Sequence, residues 1–212
     1  MKTKAVIFDF GGVITSSPFE AFNAFEVERG YLKNIIRRIN STNPNGNAWA
    51  LFERNEIDAG QFDEMFTAEA AARNHVIRGS DVLALLSGSI RPAMVAKIDA
   101  CKAAGLKVGC LTNNVQTGHG AGMAGSDAKA GEIAAIMAKF DVVIESSKVG
   151  LRKPDPRIYA MVCEQLGVEP TECIYLDDLG INCKPAASMG MHAIKVESEA
   201  QALADLDALL SA

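Results

Sequence analysis

Ala5-Val6-Ile7-Phe8-Asp9-Phe10-Gly11-Gly12-Val13-Ile14 decides how the rest of the chain is read. A β-prone apolar run meets a single carboxylate and then a pair of glycines. A buried strand has no structural use for a charge at its end, because an unpaired buried carboxylate is costly. Asp9 is therefore placed for chemistry. Gly11 and Gly12 mark a backbone that turns sharply or approaches a ligand closely.

Outward from this stretch, Leu106 to Thr112 reads as a second strand that stops at Asn113-Asn114. Asp141 to Glu145 reads as a third, Glu172 to Leu176 as a fourth ending in Asp177-Asp178, and His192 to Val196 as a fifth. Helices are expected between them. One opens at Arg91-Pro92 with Met94, Val95, Ile98 and Cys101 at helical spacing. Others run from Glu132 to Lys139, from Lys153-Pro154-Asp155-Pro156 to a stop at Gly167, and to a stop near Gly190. Ser198-Glu199-Ala200-Gln201 caps a last one. Strands alternating with helices imply a parallel sheet covered on both faces.

The block from Ser17 to Ser89 breaks this rhythm. Ser17-Pro18-Phe19-Glu20 has the form of a capping box with proline at the first helical position. Tyr31 to Ile39 reads as a second helix, Asp58-Ala59-Gly60-Gln61 as the start of another, and no strand is expected. The aromatics Phe19, Phe22, Trp49, Phe52 and Phe66 read best as this block's own small core. Residues 115–131, rich in Gly, Ala and Ser, read as a loop at the pocket entrance. The expected architecture is α/β: a doubly wound, Rossmann-like parallel sheet formed by 1–16 and 90–212, with 17–89 as an inserted helical domain.

A net charge of −5 without a basic run of five or more residues argues against nucleic acid or a membrane surface as partner. No apolar stretch is long enough to span a bilayer, and the opening strand leaves no room for a signal peptide. Five cysteines without a CxxC pair read as buried free thiols in a reducing, cytoplasmic setting. His75, His119 and His192 lack metal-site spacing, so zinc is not expected. Monomer and homodimer both stay open.

In open α/β sheets, ligands bind beyond the carboxyl ends of the strands. Asp9, Thr112-Asn113, Lys153 and Asp177-Asp178 all fall at or just after such ends. Each has a bland reading alone, as a cap, a turn former or a solvated lysine; together they suit phosphoryl transfer through an aspartyl-phosphate. Three carboxylates near one point repel unless a cation lies between them, and oxygen donors without His or Cys suit Mg²⁺. Metal and lysine together would let a carboxylate attack an anionic phosphate. The Thr112 hydroxyl and the amides near Asn113 are placed to hold its oxygens.

Phe8-Asp9-Phe10-Gly11-Gly12-Val13, Leu111-Thr112-Asn113, Gly150-Leu151-Arg152-Lys153-Pro154 and Leu176-Asp177-Asp178 resemble, in order, the four motifs of the haloacid dehalogenase-like hydrolases. The stretches around Lys153 and from Leu176 through Ala186 look like the N-terminal phosphatase domain of soluble epoxide hydrolase and the matching domain of acyl-CoA dehydrogenase fusion proteins. The resemblance implies a C1-type cap at 17–89. It makes Asp9 the nucleophile and a Mg²⁺ ligand, with the Gly11 carbonyl and Asp178 as further ligands. Asp177 and Asn182 would orient metal-bound water, and Gly12, Thr112, Asn113 and Lys153 would bind the phosphoryl group of a small phosphorylated metabolite.

The chain departs from that pattern at one place. Most phosphatases of the family carry a second aspartate two residues after the nucleophile, where this sequence has Gly11. Loss of such a general acid–base removes about 10²–10⁴ in rate. A Mg²⁺-dependent phosphatase is thus expected first, favouring good leaving groups. A catalytically weak phosphate-binding or regulatory protein is the alternative. A 2-haloacid dehalogenase comes third, disfavoured by the Asp177-Asp178 pair beside an anionic substrate.

Overall fold

The computed structural model describes residues 2–116 and 123–211. Among them, β1 (Ala5–Phe8), β2 (Lys107–Thr112), β3 (Val142–Glu145), β4 (Cys173–Asp177) and β5 (His192–Lys195) form one sheet in the order β3-β2-β1-β4-β5. All neighbours pair in parallel. β1 lies at the centre, with Phe8 level with Cys110 on one side and Leu176 on the other. The chain winds outward from β1 in one direction and resumes at β4 in the other. The β1/β4 seam is therefore the switch point, where such sheets bind ligands.

Side chains along β1 alternate between two cores. Val6 and Phe8 join Met94 and Ile98 of α6 (Pro92–Ala103), Ile133 of α7 (Asp127–Met137) and Leu206 of α11 (Glu199–Ser211). Ala5 and Ile7 join Ile158 and Val162 of α9 (Pro156–Leu166), which follows the short α8 (Ser146–Val149), and Ala186 of α10 (Gly180–Ser188). Both faces are covered, and every β1 residue is fully buried. Burying an Ile or Phe in this way contributes roughly 1.5–3 kcal/mol.

Between β1 and α6 lie α1 (Pro18–Glu28), α2 (Ile35–Ser41), α3 (Ala48–Glu53), α4 (Ala59–Ala71) and α5 (Gly79–Leu83). They enclose a cluster of their own that includes Phe22, Ile36, Phe52, Phe62 and Phe66, with Phe19 and Trp49 half-buried at its edge. The aromatics expected to form a local core do so. The two connections to the sheet run antiparallel: Thr15 bridges Ile90, the Ser16 amide donates to Ser89 O (2.7 Å), and the Arg91 amide donates to Ile14 O (2.9 Å).

Several local expectations are corrected. Ser17 precedes α1 but makes no side-chain cap, because its hydroxyl is used elsewhere. The second helix starts at Ile35 and not at Tyr31. Asn34 sits at φ 61, a conformation that a helix cannot pass through, and the buried Glu26 carboxylate accepts from the Asn34 and Ile36 amides. α3 was not anticipated; Asn47 caps it by accepting from the Ala50 amide at 2.8 Å. α7 begins at Asp127 behind the Ser126 cap, so the expected loop gives way to helix five residues before Glu132. Residues 117–122 of that loop, His119 included, lie outside the described residues. The helix start read at Asp58 forms, with Asp58 and Gln61 as a capping box.

Candidate active site

Asp9 is the first residue past β1, and its amide still pairs with Leu176 O at 2.8 Å. Its Oδ1 accepts from the Phe10 amide (2.7 Å) and lies 2.8 Å from Lys153 Nζ. Lys153 Nζ also donates to Asp177 Oδ2 at 2.7 Å. With 1% of its side chain exposed, this lysine is almost sealed between two carboxylates. Lys153 comes from the segment ahead of α9, and Asp177 ends β4.

Asp177 is saturated. Oδ2 also accepts from the Tyr175 hydroxyl at 2.5 Å, Oδ1 accepts from the Leu179 amide at 2.8 Å, and Asn182 Nδ2 lies 3.1 Å from both oxygens. Asn182 is itself held, because its carbonyl accepts from the Tyr159 hydroxyl at 2.8 Å. This buried carboxylate has the donors its burial requires. Next to it, Asp178 Oδ2 accepts from Ser17 Oγ at 2.7 Å.

Burial holds the Asp9 carboxyl well above the usual carboxylate range, and Asp177 and Asp178 push in the same direction against Lys153. Burial also raises Asp178. Burial works against the Lys153 ammonium, but Asp177 and Asp9 outweigh it and keep the lysine charged. Three carboxyl groups thus gather around the one buried ammonium of Lys153, which pairs directly with Asp9 and Asp177. Oxygens of Asp9, Asp177 and Asp178 lie within 4.8 Å of one another. An all-oxygen donor set of this kind fits a hard divalent cation. With Asp177 fully engaged by the protein, Asp9 and Asp178 are the two carboxylates with capacity for one.

The glycine pair divides in role. Gly12 has φ +80, and a Cβ there would lie 2.3 Å from the Asp178 carboxylate. The close approach read from the sequence is therefore to a carboxylate of the chain itself. Arg91 Nη1 fixes the same turn by donating to Gly12 O at 2.7 Å. Gly12→Ala combines a strained φ with overpacking, each costing about 1–3 kcal/mol. Urea unfolding should register a loss of at least about 2 kcal/mol, whereas a change below about 0.5 kcal/mol would contradict this geometry. Gly11 is different: its φ of −68 suits any residue. A Cβ there would meet only Pro18 Cδ, at 4.0 Å.

Thr112 closes β2, buried, with its hydroxyl donating to Asn113 O at 3.3 Å. The Asn113 side chain grips the Lys153 backbone: Oδ1 accepts from Lys153 N (2.8 Å) and Nδ2 donates to Lys153 O (3.0 Å). The Asn113 side chain is thus occupied in locating the lysine. Asp9, Thr112, Asn113, Lys153, Asp177, Asp178 and Asn182 are brought together as the motifs suggested. Sequence reasoning missed Ser17, assigned to a helix cap, and Tyr175, hidden in an apolar run. A hydroxyl in the middle of a buried strand was the available signal for Tyr175.

The pattern of the haloacid dehalogenase-like hydrolases matches residues 3–190. The chain belongs to that family. It is 35% identical over 212 residues to acyl-CoA dehydrogenase family member 10 of Mus musculus, covering 98% of this chain and 19% of that protein. The chain thus spans about a fifth of the length of that relative. It is 30% identical over 218 residues to phosphatase MT3486 of Mycobacterium tuberculosis (strain CDC 1551 / Oshkosh), covering 95% of this chain and 90% of that protein. A HAD family enzyme of Bacteroides thetaiotaomicron, solved with magnesium and inorganic phosphate, shares the fold at a TM-score of 0.59 and 16% identity, over 92% of this chain and 94% of that one. Among the described residues no helix is long and apolar enough to cross a membrane, and all five thiols are free and buried.

Proposed function

We propose that the chain is a Mg²⁺-dependent phosphatase acting on a small phosphorylated metabolite, with Asp9 as nucleophile. The observation that carries this reading is Lys153, buried between Asp9 and Asp177 beside a third carboxylate at the sheet's switch point. The similarity to a phosphatase along nearly its whole length supports it. Residues 1–16 and 90–212 form the catalytic core in this reading, and 17–89 form a cap.

Asp9, Asp178 and the Gly11 carbonyl would hold Mg²⁺, while Asp177 and Asn182 set the surroundings from behind. Bound there, the ion offsets the charge of carboxylates and phosphoryl oxygens. Asp9 attacks phosphorus: an Oδ–P bond forms and the ester P–O bond breaks. Lys153 and the Thr112 hydroxyl face the charge that spreads over the phosphoryl oxygens. The leaving oxygen takes its proton from water, because Gly11 has none to give. A second water then cleaves the aspartyl-phosphate, returning the Asp9 carboxylate and free phosphate. Without an acid the enzyme favours aryl, acyl and anomeric phosphates over alkyl ones.

Hydrolysis of p-nitrophenyl phosphate should require Mg²⁺ and fall by roughly 10³-fold or more in Asp9→Asn. Turnover unaffected by Asp9→Asn, or activity on a 2-haloacid that survives EDTA, would sink the proposal. Gly11 favours a second reading, a phosphate-ligand binding protein that has kept the pocket and lost the acid. Absence of Asp9-dependent turnover across a panel of phosphates, with phosphate binding retained, would select that reading.

A further inference from the structure

Glu53 ends α3, in the helical insert, yet its carboxylate is engaged mainly by the other side of the molecule. Oε2 accepts from Arg152 Nε at 2.5 Å and from Asn113 Nδ2 at 3.2 Å. Oε1 accepts from the Trp49 indole at 2.8 Å, one helical turn earlier. Glu53 is buried, so these donors replace water for its charge. Arg152 adds a second hold on the insert by donating from Nη1 to Pro44 O at 3.0 Å.

These contacts converge on one backbone unit. Arg152 precedes Lys153 in sequence, and Asn113 clasps both the amide and the carbonyl of Lys153. A single carboxylate from the insert therefore touches both elements that locate the buried lysine. We propose that Glu53 is a positioning residue for Lys153, so that seating of the insert over the sheet and placement of the ammonium beside Asp9 are one event. The proposal rests on the phosphatase reading for its effect on rate, but the mechanical link does not. Trp49 sets the carboxylate from the insert side, and Arg152 and Asn113 pass its position to the core. An insert that lifts away releases Asn113 Nδ2 and Arg152 together.

The test pairs hydrogen–deuterium exchange with kinetics on the full chain. Glu53→Gln keeps the shape but turns an amide towards donors, and amide exchange in the segment 150–156 should quicken about tenfold. In the Mg²⁺-dependent hydrolysis of p-nitrophenyl phosphate, kcat should fall about tenfold or more with KM within about threefold, because a small misplacement near the chemistry acts on the transition state. Trp49→Phe removes one donor from within the insert and guards against misfolding of the first variant. It should quicken exchange in 150–156 in the same direction, although the Trp49 ring packs on Phe22 and Phe62 within the insert. Unchanged exchange there in both variants overturns the proposal, even if melting temperatures drop, and Glu53 is then an interface ion pair only. Faster exchange in a protein whose wild type hydrolyses no phosphate upholds the link and discards the phosphatase reading instead.

Discussion

Gly11→Asp is expected to raise the turnover of a simple alkyl phosphate by about 10²–10⁴-fold, the usual contribution of a positioned general acid–base. The backbone is ready for the change. At φ −68 and ψ 129 residue 11 lies in ordinary extended space, and the new Cβ would meet only the Pro18 ring at 4.0 Å. That direction leads to the start of α1 at Pro18. The gain should depend on the leaving group. p-Nitrophenolate departs without a proton, so its turnover should rise far less than that of an alkyl phosphate. A stopped assay on both substrates checks this, and an equal gain on both would show that the aspartate acts by some route other than protonation. No gain on either would mean that another group already supplies the proton.

Lys153→Met should be the most damaging single change to stability, at about 3–5 kcal/mol. The replacement matches the length of the lysine stem but strands two carboxylates. Asp177 keeps Tyr175, Asn182 and the Leu179 amide, whereas among the described residues Asp9 keeps the Phe10 amide alone. Urea unfolding measures the loss. Adding Asp177→Asn to Lys153→Met should restore part of the stability, because one stranded charge is removed, while turnover stays lost. A Lys153→Met protein within about 1 kcal/mol of wild type would contradict the burial and pairing described.

The sheet and the ends of its strands were legible because parallel strands buried on both faces read as apolar runs, and each stopped at a polar residue. Asp9, Thr112, Lys153 and Asp177-Asp178 stood out for that reason, and the topology then brought them together. The details that failed depend on partners remote in sequence. Ser17 looked like a helix cap because capping is a local pattern, but its partner Asp178 lies 161 residues away. The start of α2 is set by a buried Glu26 and a left-handed Asn34, neither of which alters hydrophobic periodicity. α3 is short and capped by an asparagine within a run of turn formers, so its pattern was masked, and the roles of Trp49 and Glu53 with it. α7 absorbed Gly131 because a glycine in a helix costs only about 1 kcal/mol, less than its packed face contributes.

The paired connections at Thr15–Ile90 and Ser16–Ser89 matter to anyone who would exchange the helical insert for another. The turn that carries Asp9, Gly11 and Gly12 runs without a break into Ser17, which already holds Asp178. The return strand brings Arg91 back onto Gly12 O. The joints for a graft therefore lie inside these contacts, after Ser17 and before Gly88, whose missing side chain admits Ser16 O at 2.7 Å from where a Cβ would sit. Cutting nearer the sheet would remove part of the turn that carries Asp9, Gly11 and Gly12 along with the insert. Cutting at these joints keeps Ser17 on Asp178 and Arg91 on Gly12 O, but a replacement insert must also bring a carboxylate to Arg152 and Asn113 where Glu53 now lies.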